Sequence, residues 1–253
     1  MKINNSGLAV AVTLIGCWLA ASAIAATSAH LTPAAIVADS TRPDADRALD
    51  AERHPAELLA FLKIKPGETV ADVWPGDYWD RLFADAVGPK GKVYAVHLIE
   101  ADKGEHKTTP PDGSMPLPDH PNVISASAHT NTFTLPVKAD VIWIRQNYHD
   151  LYDKFVGPAD VPAFDKGVYQ ALKPGGRFVV IDHAAPDGSG IADTDTLHRI
   201  DPAVVKKDMA AAGFKFVGES NVLRNPADDR TLLVFNPKVR GHTDQFVYVF
   251  QRP

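Results

Sequence analysis

Apolar residues fall along this chain in two alternating rhythms, short unbroken runs and longer stretches with helical spacing. Thr69 to Trp74 is a β-branched and apolar run, Trp79 to Val87 repeats its apolar positions at helical intervals, and Lys92 to Val96 is a second run. This is a strand, helix, strand unit, with turns marked by Pro75-Gly76 on the way out and by Gly88-Pro89 and Lys90-Gly91 on the way back. Val123 to Ala126, Asp140 to Ile144 and Arg177 to Ile181 continue the series of strands. The middle one, DVIWI, is apolar on both faces, as a buried parallel strand is. Helical material is predicted between Tyr152 and Leu172, ended by Lys173-Pro174-Gly175-Gly176. A further helix starts at Pro202, capped by Asp201, and stops at Gly213. Phe214 to Val217 and Phe246 to Phe250 read as the last strands, separated by a long polar insertion, Asn225 to Thr243.

Ahead of this series, Pro43 to Leu62 predicts two short helices with Leu49, Leu58, Leu59 and Phe61 on the apolar side and a break at His54-Pro55. Thr27 to Thr41 is small, polar and proline-containing, and reads as a tether. Lys107 to Pro121, with five prolines and no apolar rhythm, reads as a surface loop. The expected organisation is a leader over residues 1–25, a flexible tether over 26–42 and one folded domain over 43–253. Strands alternating with helices imply an α/β, Rossmann-like three-layer sandwich. Its sheet is expected to be mostly parallel and roughly seven-stranded, with an antiparallel C-terminal strand.

The 253 residues, 45% apolar and 23% charged, suffice for one sizeable core. A formal net charge of −5 argues against a nucleic-acid partner. Met1 to Ser6 carries one lysine, Leu8 to Ala25 is almost wholly apolar, and Ala23-Ile24-Ala25 supplies small residues for cleavage. This is the pattern of a secretory signal, which implies a periplasmic or secreted protein with no stable membrane span after cleavage. Two alternatives stay open, a retained membrane anchor and lipoprotein anchoring at Cys17 in Leu14-Ile15-Gly16-Cys17. Cys17 is the sole cysteine, so a chain cleaved near Ala25 has neither disulfides nor thiolate chemistry.

In open α/β sheets ligands bind beyond the carboxyl ends of the strands. That rule directs attention to Asp72 to Tyr78 after the first strand, His149-Asp150 after the fourth, Asp182-His183 after the fifth, and His198-Arg199-Ile200-Asp201 beyond it. Each also has a purely structural reading: Asp72 as a turn cap, Gly76 as half of a Pro-Gly turn, and the others as partners of backbone ends. Asp228-Asp229 reads as a solvated loop. His149, Asp182, His183 and His198 have the side-chain types of a metal site, but no histidine pair has a motif spacing, and no metal is assigned.

Four stretches, ETVADVWPG, GPKGKVYAV, ADVIWIRQNYHD and ALKPGGRFVVIDH, together resemble the class I S-adenosylmethionine-dependent methyltransferases over most of Pro43 to Pro253. With Trp74-Pro75-Gly76 and His198-Arg199-Ile200-Asp201, the chain looks most like predicted secreted bacterial members of that superfamily. The resemblance implies S-adenosylmethionine as cofactor, with Asp72, Gly76 and Asp77 at the methionine end. His97 stands where the acid for the ribose hydroxyls belongs, Glu100 is its replacement three residues on, and Ala128 lies at the far wall. It implies methyl transfer to a small-molecule substrate, with His149 as base, Asp150 orienting it and His183 as substitute. Of the superfamily's Asp-x-Gly-x-Gly-x-Gly pattern only the middle glycine is kept, in Asp72-Val73-Trp74-Pro75-Gly76-Asp77-Tyr78. The alternative is therefore a non-catalytic binding protein that retains the fold. Tyr78 is expected to point into the core rather than across the site.

Overall fold

The computed structural model of the protein describes residues 31–101, 112–157 and 159–253, together with Met1. Seven strands form one sheet: β1 (Thr69–Val73), β2 (Lys92–Leu98), β3 (Val123–Ala128), β4 (Ala139–Arg145), β5 (Leu172–His183), β6 (Lys215–Ser220) and β7 (Gln245–Gln251), in the order β3-β2-β1-β4-β5-β7-β6. β1 pairs in parallel with β2 and β4, β2 with β3, and β4 with β5. β7 is antiparallel to both of its neighbours, β5 and β6. This is the expected Rossmann-like architecture.

Period-two alternation sorts the strands into two cores. On one face Ala71, Val73, Ile142, Ile144, Phe178 and Val180 pack with Phe164 and Val168 of α6 (Val161–Ala171) and with Val205 and Met209 of α8 (Pro202–Ala212). On the other, Val70, Val141, Trp143 and Val179 meet Trp79, Leu82 and Phe83 of α5 (Asp77–Val87) and Leu58 and Leu62 of α4 (Pro55–Leu62). Asp72 lies on the α5 face in register with Val70, and so within reach of Asp80 one helical turn into α5. Gly91 fixes the return into β2, because a Cβ there would stand 2.3 Å from Val87 Cβ and 2.7 Å from Glu68 O.

The N-terminal region departs from expectation. Residues 31–42 do not behave as a tether: α1 (Pro33–Val37) is capped by the Thr32 hydroxyl, its Ile36 is buried, and Arg42 makes a paired ion bridge to Asp50. Small residues carry no periodic signal, and one isoleucine anchors the turn. Pro43 to Leu62 holds three helices rather than two, α2 (Asp44–Arg47), α3 (Asp50–Arg53) and α4, the last two separated at His54 in the left-handed region (φ 47°). The helix predicted from Tyr152 is in fact two 3-10 turns, His149–Tyr152 and Lys154–Val156. α6 begins only after Asp160, whose carboxylate accepts from Ala163 N. α7 (Thr194–Leu197) is a single turn ahead of His198. Among the described residues no helix is long and apolar enough to cross a membrane. The leader residues 2–25, with Cys17, lie outside the described residues, as do residues 102–111, which include the start of the predicted surface loop Lys107 to Pro121.

Candidate functional site

A cavity of about 480 Å³ opens beyond the carboxyl ends of β1, β4 and β5. β1 and its turn contribute Asp72, Trp74 and Gly76, β4 and the residues after it Arg145, Gln146 and Asn147, and β5 contributes His183. Trp79 and Trp143 lie beneath, and Arg53 comes from the end of α3. The roof is Val234 and Phe235, from the insertion between β6 and β7 that the sequence reads only as polar loop. Of the six non-glycine residues at positive φ among those described, three line this cavity: Trp74 (67°), Gln146 (60°) and His198 (52°). Backbone strain of this kind persists where the surroundings enforce it, and it gathers at ligand sites. Trp74 stands where the resembled pattern has its first glycine, and its backbone is in the left-handed region that favours glycine. Its side chain lines the cavity and sits edge-on to Phe155 at 6.3 Å.

Asp72 is buried against α5, where it shares a hydrogen bond with Asp80 and accepts from Gly76 N. Burial and the Asp80 charge push its carboxyl well above the ordinary range. Asp80 is pushed up to about 8, by burial first and then by Asp77. The pair thus holds a proton at neutral pH. Gly76 lines the cavity, and nothing stands within 4 Å of where a Cβ would be. Asp77, expected at the methionine end, turns outward to Arg81 (3.2 Å) and does not line the cavity. Tyr78 also leaves the cavity. Its ring packs on Trp79 and under Arg53, and its hydroxyl donates to Asp50 Oδ1 at 2.7 Å.

The expected ribose side is not part of this cavity. His97 pairs in register with Ser127 of β3, Ala128 is buried at the end of that strand, and neither lines the opening. Glu100 binds the start of the next turn instead, accepting from Thr130 N (2.8 Å) and Thr130 Oγ1 (2.9 Å) and meeting His129 Nδ1 (2.8 Å). Although burial opposes it, these bonds hold its carboxyl down at about 2. A carboxylate so occupied is a loop clamp, because its acceptor positions are largely used.

Two guanidinium groups, unremarked in the sequence, share the cavity with Asp72. Arg145 and Arg53 both line the cavity, and Nε of each is buried without a hydrogen-bond partner. Burial, and after it the Arg53 charge, lower the Arg145 pKa to about 10. Two like charges held together in a cleft favour an anion between them.

The histidines converge at the other end. Asp182, fully buried at the end of β5, accepts from His149 N, from His183 N and from His149 Nδ1, each at 2.8 Å. Asp182, not the adjacent Asp150, therefore orients His149. Asp150 lies on the other side of the ring, 3.2 Å from Nε2, where His198 Nδ1 also approaches to 3.1 Å. Burial disfavours a charge on His149, but Asp182 and Asp150 outweigh it and raise its pKa to about 10. Both ring nitrogens of His149 are thus engaged within the protein. His183 meets Thr243 Oγ1 through Nδ1 at 2.7 Å, and its ring lines the cavity. Burial first, then the neighbouring cations, hold it well below the ordinary histidine value, so it is a neutral imidazole.

Neither a protein-family model nor a curated protein matches the sequence. Among solved structures the chain is similar to a SAM dependent methyltransferase from Aquifex aeolicus, with a TM-score of 0.51 and 17% identity over 88% of this chain and 100% of that one. It is similar also to an S-adenosylmethionine dependent methyltransferase from Mesorhizobium loti, with a TM-score of 0.50 and 19% identity over 81% of this chain and 100% of the other. At such identities the likeness speaks for the architecture alone, and the chain has the Rossmann-like fold of the class I S-adenosylmethionine-dependent methyltransferases.

Proposed function

We propose that the protein is an S-adenosylmethionine-dependent methyltransferase acting on a small-molecule acceptor. The observation that carries this reading is the charge pattern of the cavity: Arg53, Arg145 and Asp72 line one space at the turn after β1 of a methyltransferase fold. An amino-acid group presents a carboxylate and an ammonium together. The paired guanidiniums suit the first, and Asp72, with the space left by Gly76, suits the second. The residues present thus fit the methionine end of the cofactor. When bound, it supplies an electrophilic methyl group on a sulfonium centre.

The chain's own residues supply position and orientation. Arg53 and Arg145 fix the orientation of the carboxylate, and Trp74, Phe155 and Phe235 line the cavity with aromatic surface that excludes water. His183, neutral and held at Nδ1 by Thr243, lines the cavity and is suited to accept a hydrogen bond from an acceptor hydroxyl or amine and so orient it. The leader-like sequence over residues 1–25 supports a periplasmic or secreted location.

A second reading, a ligand-binding protein without transfer activity, is favoured by two observations. Glu100 is already bound to Thr130 and His129, and Asp72 is already bonded to Asp80. Isothermal titration with S-adenosylmethionine and S-adenosylhomocysteine separates the readings. Micromolar binding of both supports a methyltransferase, and no heat at millimolar ligand removes it.

A further inference from the structure

The cluster at the histidine end has a feature that neither reading uses. The 3-10 turn His149–Tyr152 presents His149 and Asp150, Asp153 follows directly, and His198 arrives from the left-handed residue that ends α7. One ligand-type atom from each of these four residues lies within 4.8 Å of the other three. We propose that His149, Asp150, Asp153 and His198 bind a divalent first-row metal ion, and that zinc suits this donor set.

The distances support the assignment. Ligand atoms about 2.0–2.1 Å from a tetrahedral zinc are about 3.3 Å from one another. His149 Nε2, His198 Nδ1 and Asp150 Oδ1 stand 3.1, 3.2 and 3.4 Å apart in their three pairings. Asp153 supplies the independent observation: it is 3% exposed, and both of its carboxylate oxygens are buried without a hydrogen-bond partner. The neighbouring Thr194 hydroxyl donates to Ile191 O instead. A buried carboxylate in this condition calls for a cation.

The outer contacts are those of a metal site as well. His149 donates from Nδ1 to the buried Asp182, which turns Nε2 toward the cluster, where a metal ion would replace the second ring proton, and Asn147 Nδ2 donates to Asp150 Oδ2 at 2.8 Å. Two imidazoles with two carboxylates select zinc and its neighbours over calcium and magnesium, which take oxygen ligands. His149, Asp150 and His198 also line the cavity, so an ion held there faces the space proposed for the acceptor. The site stands on these side chains alone and does not require methyl transfer.

The test is titration of the full chain, purified without a polyhistidine tag and freed of metal by a chelator, with Co²⁺ and then Zn²⁺. One equivalent of Co²⁺ with visible absorption, displaced by Zn²⁺, is expected. Asp153→Asn and His198→Ala should each weaken binding by about tenfold or more, and Asp182→Asn by about 10–100-fold through loss of His149 orientation. His198 is at the accessible edge of the cluster, so His198→Ala carries the test where a buried variant fails to fold. Absence of Co²⁺ absorption, or binding unchanged in folded Asp153→Asn and His198→Ala, overturns the proposal. Because no methyl donor enters the experiment, its outcome is independent of cofactor titration.

Discussion

Arg199 and Asp228 form a two-pronged ion pair in complete burial, with Nη1 to Oδ2 at 2.9 Å and Nη2 to Oδ1 at 3.2 Å. Arg199 also donates to the carbonyls of Ala184 and Leu232, so the pair ties the end of β5 to the insertion that carries Val234 and Phe235 over the cavity. The sequence reading of Asp228-Asp229 as a solvated loop holds only for Asp229, whose bonds are to Thr231 at the surface. Removing one partner strands a buried charge, and Asp228→Asn should cost about 3–5 kcal/mol. Urea unfolding is the measurement, and Asp229→Asn, expected to change little, is its control.

The Asp72–Asp80 pair gives stability a pH dependence of defined sign. Both carboxyls are raised in the fold, Asp80 from 3.8 to about 8, so the folded state favours their protonated form. Their contribution is whole below the unfolded value and is lost as pH rises through the folded one. Between about pH 4 and pH 8 this pair therefore makes stability fall with rising pH. Asp80→Asn keeps a donor for Asp72 and removes one titration, so its urea midpoint should fall less across that window. An unchanged slope would assign the effect to other groups.

Tyr78 separates packing from ligand binding. Its hydroxyl donates to Asp50, itself bridged to Arg42, and Tyr78 is not among the residues that line the cavity. Tyr78→Phe should lower stability by about 1.5–3 kcal/mol, the range for a hydrogen bond to a charged group. Affinity for S-adenosylhomocysteine should be unchanged, because the ring does not line the cavity. Denaturation and calorimetry on the same preparation check both halves.

Arg145→Met probes the carboxylate end of the proposed cofactor. Loss of a charged hydrogen bond of about 1.5–3 kcal/mol corresponds to roughly 10–150-fold in affinity. S-adenosylhomocysteine should weaken by that factor, whereas 5′-methylthioadenosine, which lacks the amino-acid group, should bind as before. Equal loss for both ligands would place Arg145 elsewhere than at the carboxylate.

The strands were legible in the sequence because buried parallel strands are continuous apolar runs, as in Val141 to Ile144, and their turns carry Pro and Gly. The site was legible by position and not by partnership. Sequence neighbours suggested that Asp150 orients His149, yet β4 and β5 lie side by side, and Asp182 reaches the ring from 33 residues away. Arg53, Arg145 and Asp153 were missed because none belongs to a recognisable motif, and the meaning of each comes only from what folds beside it. The lost glycines misled in the same way, since Asp77 and Tyr78 both turn from the cavity while Trp74 keeps a glycine-like backbone.

The position of β7 between β5 and β6 has a consequence for the order in which the molecule is built. β6 precedes β7 in the chain but has no place in the sheet until β7 has been made, and β5 shows an open edge until then. The residues that roof the cavity, Val234 and Phe235, belong to the segment joining these two strands. During synthesis, which folds chains from the N-terminal side, the binding chamber is therefore the last part to exist. A chain still lacking β7 would hold Asp72, Arg145 and His149 in an unroofed groove beside an unpaired strand.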